Sequence, residues 1–320
     1  MLTRGALLYI GQRLVLIVFT AVAVSSIVFL GVHRLPGDAL LNERRPDPAA
    51  EAALLHYYHL DLPLPDQYVR YVTGLLHGDL GESYVNRGVQ ITPLLLREAR
   101  VSAEVGAAAI IFTVGLGVLL GVIAAVRQNT WVDYLATTTS VIGYSMPNFV
   151  IASLLFLLFG VALYSWTGGA LYYNSGWTGT YGTIDQILVP GFALGFPYAS
   201  IVARLTRASM LEVIRQDYVR TARAKGLSEP AILRKHVLRN ALVPVVTNIS
   251  LLIPGVFVGS FLLEIFFSIP GLGREIYLAV NRSDYPVIQA VTIYLAVLTM
   301  LINLVADVLY SFVDPRIQLR

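Results

Sequence analysis

Long apolar stretches separated by short charged segments dominate the chain. The first uncharged run, residues 14–32, has 19 residues and is bounded by Arg13 and His33. A helix of that length spans about 30 Å, the thickness of the hydrocarbon layer of a bilayer. The pattern predicts six transmembrane helices, at residues 14–32, 105–126, 134–163, 186–203, 240–263 and 285–306.

The third of these stretches has to be divided. Residues 134–184 carry no charged side chain over 51 positions, which is too long for one helical span. We predict a span up to residue 163, with Pro147 inside it, and an interfacial loop over 166–182, where Trp, Tyr, Gly and Thr accumulate. The fourth span contains two prolines, so neighbouring helices or an aqueous cavity must satisfy the backbone groups that they leave free.

The segment between the first two spans, residues 33–100, is polar enough to leave the membrane. Asp47 followed by Pro48 predicts the start of a helix. A second helix is predicted over 65–77, closed by Gly78. The segment is therefore predicted to form a small helical cap.

Composition agrees with a membrane protein. Apolar residues make up 56% of the chain and charged residues 13%, which leaves too little polar surface to cover a soluble globule of 320 residues. The chain has no cysteine, so disulfides, cysteine-ligated zinc and thiol catalysis are excluded. We predict an all-α polytopic membrane protein with a first span (1–32), a cap (33–100), a five-helix core (101–312) that includes the loop 204–240, and a C-terminal tail (313–320).

A basic segment connects the fourth and fifth spans. Nine of the chain's 23 lysines and arginines lie within 204–239, against three acidic residues. Good helix formers occupy 211–225, Gly226 suits the left-handed residue that ends a helix, and Ser228 precedes a Glu-Pro pair as an N-cap precedes a first turn. The sequence predicts a helix, a sharp elbow and a second helix. On charge alone, the segment is equally consistent with a solvated loop held near anionic lipid headgroups.

The distribution of positive charge predicts the orientation. Six spans place both termini on one side of the membrane. The termini, Arg127 and the 204–239 segment together carry 14 lysines and arginines, whereas the short loops on the opposite side, 164–185 and 264–284, carry two. Because positively charged loops remain in the cytoplasm, both termini and the basic segment are predicted to be cytoplasmic.

Residues 217–229, with the sequence DYVRTARAKGLSE, resemble the cytoplasmic EAA loop of ABC importer permeases, in the version carried by the dipeptide, oligopeptide and nickel group. Two departures from the general pattern, Arg-Thr at 220–221 in place of Glu-Ala and Arg239 in place of a proline, are typical of the peptide subgroup. Residues 98–104 lack the proline that the group usually has before the second span. Further segments that resemble the group, in the same order, are 34–38, 64–68, 78–83, 188–191, 203–212, 267–274, 284–289 and 307–316.

The resemblance implies a type I ABC importer permease fold in the bacterial cytoplasmic (inner) membrane, surrounded by lipid. It implies a second homologous permease forming a heterodimer, two ATPase subunits and an extracytoplasmic substrate-binding protein as partners. It also implies that the loop forms a coupling helix seated in a groove on the ATPase, with small side chains permitting close approach and Gly226 setting the elbow. The residues that match this loop are Asp217, Tyr218, Thr221, Ala222, Ala224, Lys225, Gly226 and Leu227.

No catalytic constellation is evident in the sequence. The lysines are Lys225 and Lys235, and neither belongs to a phosphate-binding loop, so ATP and Mg are expected in the partner ATPases and no cofactor in this chain. A zinc-protease motif and a nucleophile elbow are missing, and His56 and His59 lack a third metal-ligand candidate. We predict a transport subunit with no catalytic site, no metal site and no nucleic-acid partner.

Several polar side chains lie in or beside the predicted spans. Tyr144, Ser145, Asn148 and Asn248 suit either a water-lined translocation pathway or hydrogen bonds to neighbouring helices. Glu264, just after the fifth span, either meets the amino end of a peptide at the external mouth of the pathway or lies in the headgroup region.

The choice of substrate rests on the resemblance alone. It predicts transport of dipeptides or oligopeptides and leaves nickel and glutathione as alternatives, because permeases for these substrates share the scaffold. A secondary transporter is the rival outside the family, and it predicts inverted repeats and ionisable groups within the spans, neither of which is evident. A membrane-embedded enzyme would need the catalytic groups that the sequence lacks.

Overall fold

The computed structural model describes residues 4–34, 48–170, 173, 176–177, 179 and 181–313. These residues are helical apart from connecting turns and one isolated antiparallel bridge between Glu82 and Gln90. The α-helices, in chain order, are α1 (Arg4–Val32), α2 (Pro48–Tyr57), α3 (Leu64–Leu76), α4 (Ile91–Val126), α5 (Trp131–Ser145), α6 (Asn148–Leu155), α7 (Leu163–Thr167), α8 (Ile184–Ile214), α9 (Asp217–Ala224), α10 (Glu229–Ile232), α11 (Arg239–Phe266), α12 (Leu272–Asn281) and α13 (Tyr285–Val313).

The prediction of six spans is confirmed. Among the described residues, six helical segments are long and apolar enough to cross a membrane. They are Leu8–Val32, Ile91–Val126, Asn148–Thr167, Ile184–Ile214, Glu229–Phe257 and Tyr285–Val308.

The third span starts later than predicted. The sequence analysis placed Pro147 inside one helix, but α5 ends at Ser145, Met146 has an extended backbone, and α6 begins at Asn148. Proline disfavours helical backbone in the residue before it and supplies no N–H, so it is better placed before a helix than inside one. Helix α5, with 15 residues, is consequently too short to be counted among the spans.

The chain divides into two compact units. Of the described residues, those up to 101 and those over 270–304 form one unit, and those over 102–269 and 305–313 form the other.

In the first unit, the cap agrees in part with its prediction. Helix α3 ends at Leu76, and Gly78 has a positive φ of 75°, as expected for a residue that closes a helix. Asp47, the predicted start of the first cap helix, lies outside the described residues, as do residues 35–38 and the tail from residue 314 onward.

Helix α12 was not predicted, and α4 begins at Ile91 rather than at residue 105. Both differences have one cause, a hydrophobic core formed by residues that lie far apart in the sequence. The first turns of α4 pack there against α12 and the start of α13, so this part of α4 is ordered by burial rather than by the bilayer. The buried members of this core are Ile91, Leu95, Leu272, Ala279, Val287, Ala290 and Val291.

In the second unit, α8 lies against α4 and α5 at very short range. A Cβ added to Gly121 of α4 would lie 2.5 Å from Cβ of Thr206 and 2.6 Å from the carbonyl oxygen of Ala203, both on α8. A Cβ added to Gly143 of α5 would lie 2.2 Å from Oγ of Ser200. Small residues thus allow the backbones to approach, as in other helices that pack within lipid.

Gly121→Val is expected to prevent this packing. The added side chain meets a backbone carbonyl, which no rotamer change relieves, so the expected cost is at least the roughly 1–3 kcal/mol typical of overpacking. Thermal unfolding in detergent, followed by size-exclusion chromatography, measures the effect. Gly115→Val is the matched control, because a Cβ at Gly115 on the same helix meets nothing within 4 Å. Equal unfolding midpoints for the two variants would contradict the packing described here.

Candidate functional site

The basic segment that follows the fourth span folds as two short helices around a turn, and the second of these helices opens the fifth candidate span, Glu229–Phe257. Helix α8 ends at Ile214 and is followed by α9 (Asp217–Ala224). After the turn, α10 (Glu229–Ile232) continues through a π-helical stretch, Leu233–Leu238, into α11. We call residues 215–238 the elbow segment.

The predicted helix over 211–225 was wrong at Arg215 and Gln216, where the chain bends. Gln216 has an extended backbone (φ −69°, ψ 149°) and precedes α9 as its N-cap. The reason lies in which residues are buried: Met210 and Val219 are 1% and 0% exposed and belong to one core. In a straight helix, residues nine positions apart point in opposite directions, because each residue advances by about 100°. The bend allows both to be buried together.

The turn itself was predicted from Gly226, and the structure confirms its left-handed backbone, with φ 76°. The Gly226 N–H donates to the carbonyl of Arg223 at 2.9 Å, and the Leu227 N–H donates to that of Ala222 at 3.4 Å. These two bonds form a Schellman motif, which ends a helix at a glycine. Ser228 then occupies the N-cap position of α10.

An ion pair bridges the turn. Nε of Arg223 lies 2.7 Å from Oε1 of Glu229, and Nη2 lies 3.3 Å from Oε2. Both side chains are partly or largely exposed, at 40% and 58%. The pair therefore adds little stability but holds the two arms of the turn in a defined geometry.

The inner side of the elbow segment packs on three of the predicted spans. Its core combines the end of α4, the end of α8 and the start of α11 with residues from both arms of the turn. The elbow segment is consequently in direct contact with the ends of three predicted spans. The buried residues are Ala125, Met210, Val219, Ala222, Ile232, Val237 and Ala241.

The outer side of the elbow segment is exposed and mixes apolar with charged groups. Tyr218 and Leu227 are 43% and 44% exposed, large fractions for such side chains. The Tyr218 hydroxyl accepts a hydrogen bond from the Asn240 amide at 3.0 Å, which fixes its ring. The predicted docking residues on this exposed side are Asp217, Tyr218, Thr221, Ala224, Lys225, Gly226 and Leu227.

Ala222 does not lie with them. Its side chain is 5% exposed and faces the core of the elbow segment, so it supports the helix from inside. Val219, three residues earlier, has the same inward direction. Sequence reasoning identified Ala222 by its small size, a property that suits a tightly packed interior as well as a contact surface.

Three of the predicted pathway residues flank one break in the chain. Tyr144 and Ser145 end α5, and Asn148 begins α6 after Pro147. The guanidinium of Arg204 lies 4.6 Å from the centroid of the Tyr144 ring, a cation–π contact.

The other two predicted pathway residues lie apart from each other on α11. Asn248 and Glu264 are separated by about 24 Å along the helix axis, given a rise of 1.5 Å per residue, so they do not form one cluster. The Oδ1 atom of Asn248 is buried and has no hydrogen-bond partner among the described residues. Glu264 lies near the end of α11, beyond the fifth candidate span as predicted, but its side chain is 0% exposed and is therefore not an accessible acid.

Sequence analysis missed a polar contact between α5 and α8. Nε and Nη2 of Arg207 each lie 2.7 Å from a carboxylate oxygen of Asp133, whose side chain is 3% exposed. The Arg207 guanidinium lowers the pKa of Asp133 to about 2, assisted by the Asn129 N–H. A lowered pKa means that the pair stabilises the fold at neutral pH and loses this contribution as pH falls from the ordinary value of 3.8 through about 2. In the sequence, Asp133 is only the charged residue that precedes the uncharged run 134–184.

Comparison with known proteins gives several relatives along nearly the whole chain. The dipeptide transport system permease protein DppB of Bacillus subtilis (strain 168) is 38% identical over 311 residues, 97% of this chain and 98% of the relative. The di/tripeptide transport system permease protein DppB of Pseudomonas aeruginosa (strain UCBPP-PA14) is 39% identical over 344 residues, with the same coverage of both chains. The glutathione transport system permease protein GsiC of Salmonella paratyphi A is 38% identical over 314 residues, again with 97% and 98% coverage.

Solved structures share the fold. The MetNI methionine ABC transporter in an inward-facing conformation matches with a TM-score of 0.54 and 20% identity, over 69% of this chain and 96% of that chain. An amino acid ABC transporter solved with histidines matches with a TM-score of 0.54 and 13% identity, over 69% of this chain and 94% of that chain.

A family model, described as the inner membrane component of binding-protein-dependent transport systems, matches residues 117–319, which include the whole elbow segment. With this match and relatives of similar length at more than a third identity, the chain belongs to the family of binding-protein-dependent transport system inner membrane components.

Proposed function

We propose that this chain is the permease subunit of an ATP-driven ABC importer that moves peptides across the cytoplasmic membrane. The proposal rests on one observation, the difference between the two sides of the elbow segment. Its outer side exposes Tyr218 and Leu227, and its inner side is packed on three predicted spans. A surface of this kind lets a separate motor protein push on membrane helices.

Peptides are the proposed substrate class because of the relatives. Those at 36% to 39% identity include dipeptide, di/tripeptide and oligopeptide permeases. A glutathione permease stands at the same level of identity, and glutathione is itself a tripeptide. Nickel remains the alternative substrate within the dipeptide, oligopeptide and nickel group of permeases.

The proposed assembly contains four kinds of component. A binding-protein-dependent permease requires an external substrate-binding protein, and we place a second homologous permease and two ATPase subunits beside it. ATP and Mg would be bound by the ATPases, since this chain has no phosphate-binding loop. The excess of positive charge in the termini and the elbow segment supports a cytoplasmic position for both termini.

In the proposed mechanism, the ATPases close on ATP and displace the exposed side of the elbow segment. The elbow segment continues into the neighbouring spans without a flexible linker. Its bend at Gln216 follows α8, and its π-helical stretch Leu233–Leu238 leads into α11. The displacement therefore reaches the spans, and the pathway between the two permeases opens alternately to either side. The chain contributes the mechanical coupling and the pathway wall, and no chemical step.

Reconstitution of the complete transporter tests this function. With tagged permease, both ATPases are expected to co-purify, and proteoliposomes are expected to accumulate a labelled dipeptide only with ATP and the binding protein present. Excess unlabelled dipeptide should compete, whereas nickel should not. Uptake without any ATPase would contradict the ABC mechanism, and competition by nickel instead of peptides would contradict the substrate class.

A further inference from the structure

The ion pair between Asp133 and Arg207 joins a buried carboxylate to a partly exposed guanidinium. Two hydrogen bonds of 2.7 Å join the guanidinium to both carboxylate oxygens. The Asn129 N–H donates to Oδ2 at 3.0 Å, and the Thr137 hydroxyl donates to Oδ1 at 3.3 Å. Asn129 adopts a positive φ of 63° in the turn before α5. The carboxylate is thus oriented by four donors, which fixes the direction in which it holds Arg207.

The pair lies at the end of α8 that carries the elbow segment. Arg207 is three residues before Met210, whose side chain is 1% exposed in the core of the elbow segment. Three residues correspond to about 4.5 Å along a helix. The same short piece of α8 therefore bears the contact with the elbow segment and the contact with α5.

At this end, a space remains where α4, α5 and α8 meet. A cavity of about 230 Å³ lies beside Arg207, lined mostly by small side chains such as Ala124, Ala136 and Ala203. At the far end of α5 the situation differs, because Gly143 meets Ser200 and Phe196 directly. Near the elbow segment, the ion pair is therefore a directional contact between the two helices beside this space.

We propose that Asp133 and Arg207 are positioning residues that make α5 follow α8 when the elbow segment moves. The movement then reaches the end of α5, where Tyr144 and Ser145 precede the break at Pro147. This inference rests on the proposed function. A directional, bidentate pair suits this task because it resists sliding and rotation, whereas apolar contacts beside a cavity allow both.

The test replaces the pair in two ways. Asp133→Leu combined with Arg207→Met removes both charges at similar volume, which proteins often tolerate without loss of stability. Arg207→Lys keeps the charge but loses the bidentate geometry. Arg127→Gln is the control, because Arg127 is an exposed cation just before α5 that takes no part in the pair.

Each variant is assembled with both ATPases and the binding protein in proteoliposomes, and dipeptide uptake per ATP hydrolysed is measured. We expect the double variant to retain ATP hydrolysis and to lose uptake per ATP by about tenfold, a typical size for coupling between sites. Arg207→Lys is expected to lie between the double variant and the parent, and Arg127→Gln to equal the parent. Parent-like uptake per ATP in the double variant or in Arg207→Lys would overturn the proposal.

A second measurement separates positioning from folding. Because the chain has no cysteine, spin labels can be attached at Leu135→Cys on α5 and Ala208→Cys on α8, both exposed positions. When the ATPases are trapped with vanadate, the distribution of distances between the two labels should stay narrow in the parent and broaden in the double variant. An unchanged distribution in the double variant would overturn the proposal. If the parent itself fails to bind the ATPases, the proposed function fails instead.

Discussion

Gly226→Val is expected to lower uptake strongly while leaving the protein inserted in the membrane. Gly226 has a φ of 76°, where an L-amino acid side chain costs roughly 1–2 kcal/mol and a β-branched one more. No neighbour obstructs a Cβ at this position, so the effect comes from the backbone alone. The turn must open to relieve the strain, which moves the exposed side of the elbow segment. Since about 1.4 kcal/mol corresponds to a tenfold change, we expect uptake to fall at least about tenfold.

Two variants make this prediction specific. Gly168 also has a positive φ, 62°, and free space around a Cβ, so Gly168→Val imposes similar strain in the loop after the third span and should leave coupling intact. Gly226→Asn should recover part of the uptake, because asparagine tolerates left-handed backbone better than valine. Undiminished uptake with Gly226→Val would show that this turn is not the coupling element.

Val219→Asp is expected to detach the elbow segment from the spans. Val219 is 0% exposed within an apolar core, and an unpaired carboxylate there costs several kcal/mol. The spans remain apolar, so insertion should persist while ATPase binding and uptake are lost. Digestion with trypsin detects the detachment of the elbow segment, because this segment contains several exposed arginines and lysines at which trypsin cleaves. Cleavage in this segment should become much faster than in the parent.

Thr221→Asp is the matched control for the proteolysis. Thr221 lies on the same short helix but is exposed, so a carboxylate at this position stays in water and the segment should resist trypsin as the parent does. If both aspartate variants were cleaved at the parental rate, the core around Val219 would not be what holds the elbow segment in place.

The features that the sequence predicted well depend on local chemistry. Gly226 ends a helix because a glycine adopts the left-handed backbone of this position without steric cost, and the spans follow from length and apolar character. The bend at Gln216 depends instead on Met210 and Val219 sharing a core, a tertiary requirement that helix propensity does not contain.

The polar contacts of the site could not be predicted from the sequence either, because they too depend on tertiary structure. Asp133 and Arg207 are 74 residues apart, and each alone is consistent with an ordinary charge at a membrane boundary. Ala222 shows the same limit at short range, because its small side chain fits a buried face and an exposed one equally well. Which face is buried is decided by the helices that surround it.

The π-helical stretch Leu233–Leu238 has a practical consequence for chimeric permeases. A π turn closes its hydrogen bonds one residue later than an α turn, so it holds about one residue more. Joining this elbow segment to the fifth span of another permease that lacks the extra residue would rotate one part against the other by about 100°. Fusion points should therefore be chosen so that residues 233–238 stay whole on one side of the junction.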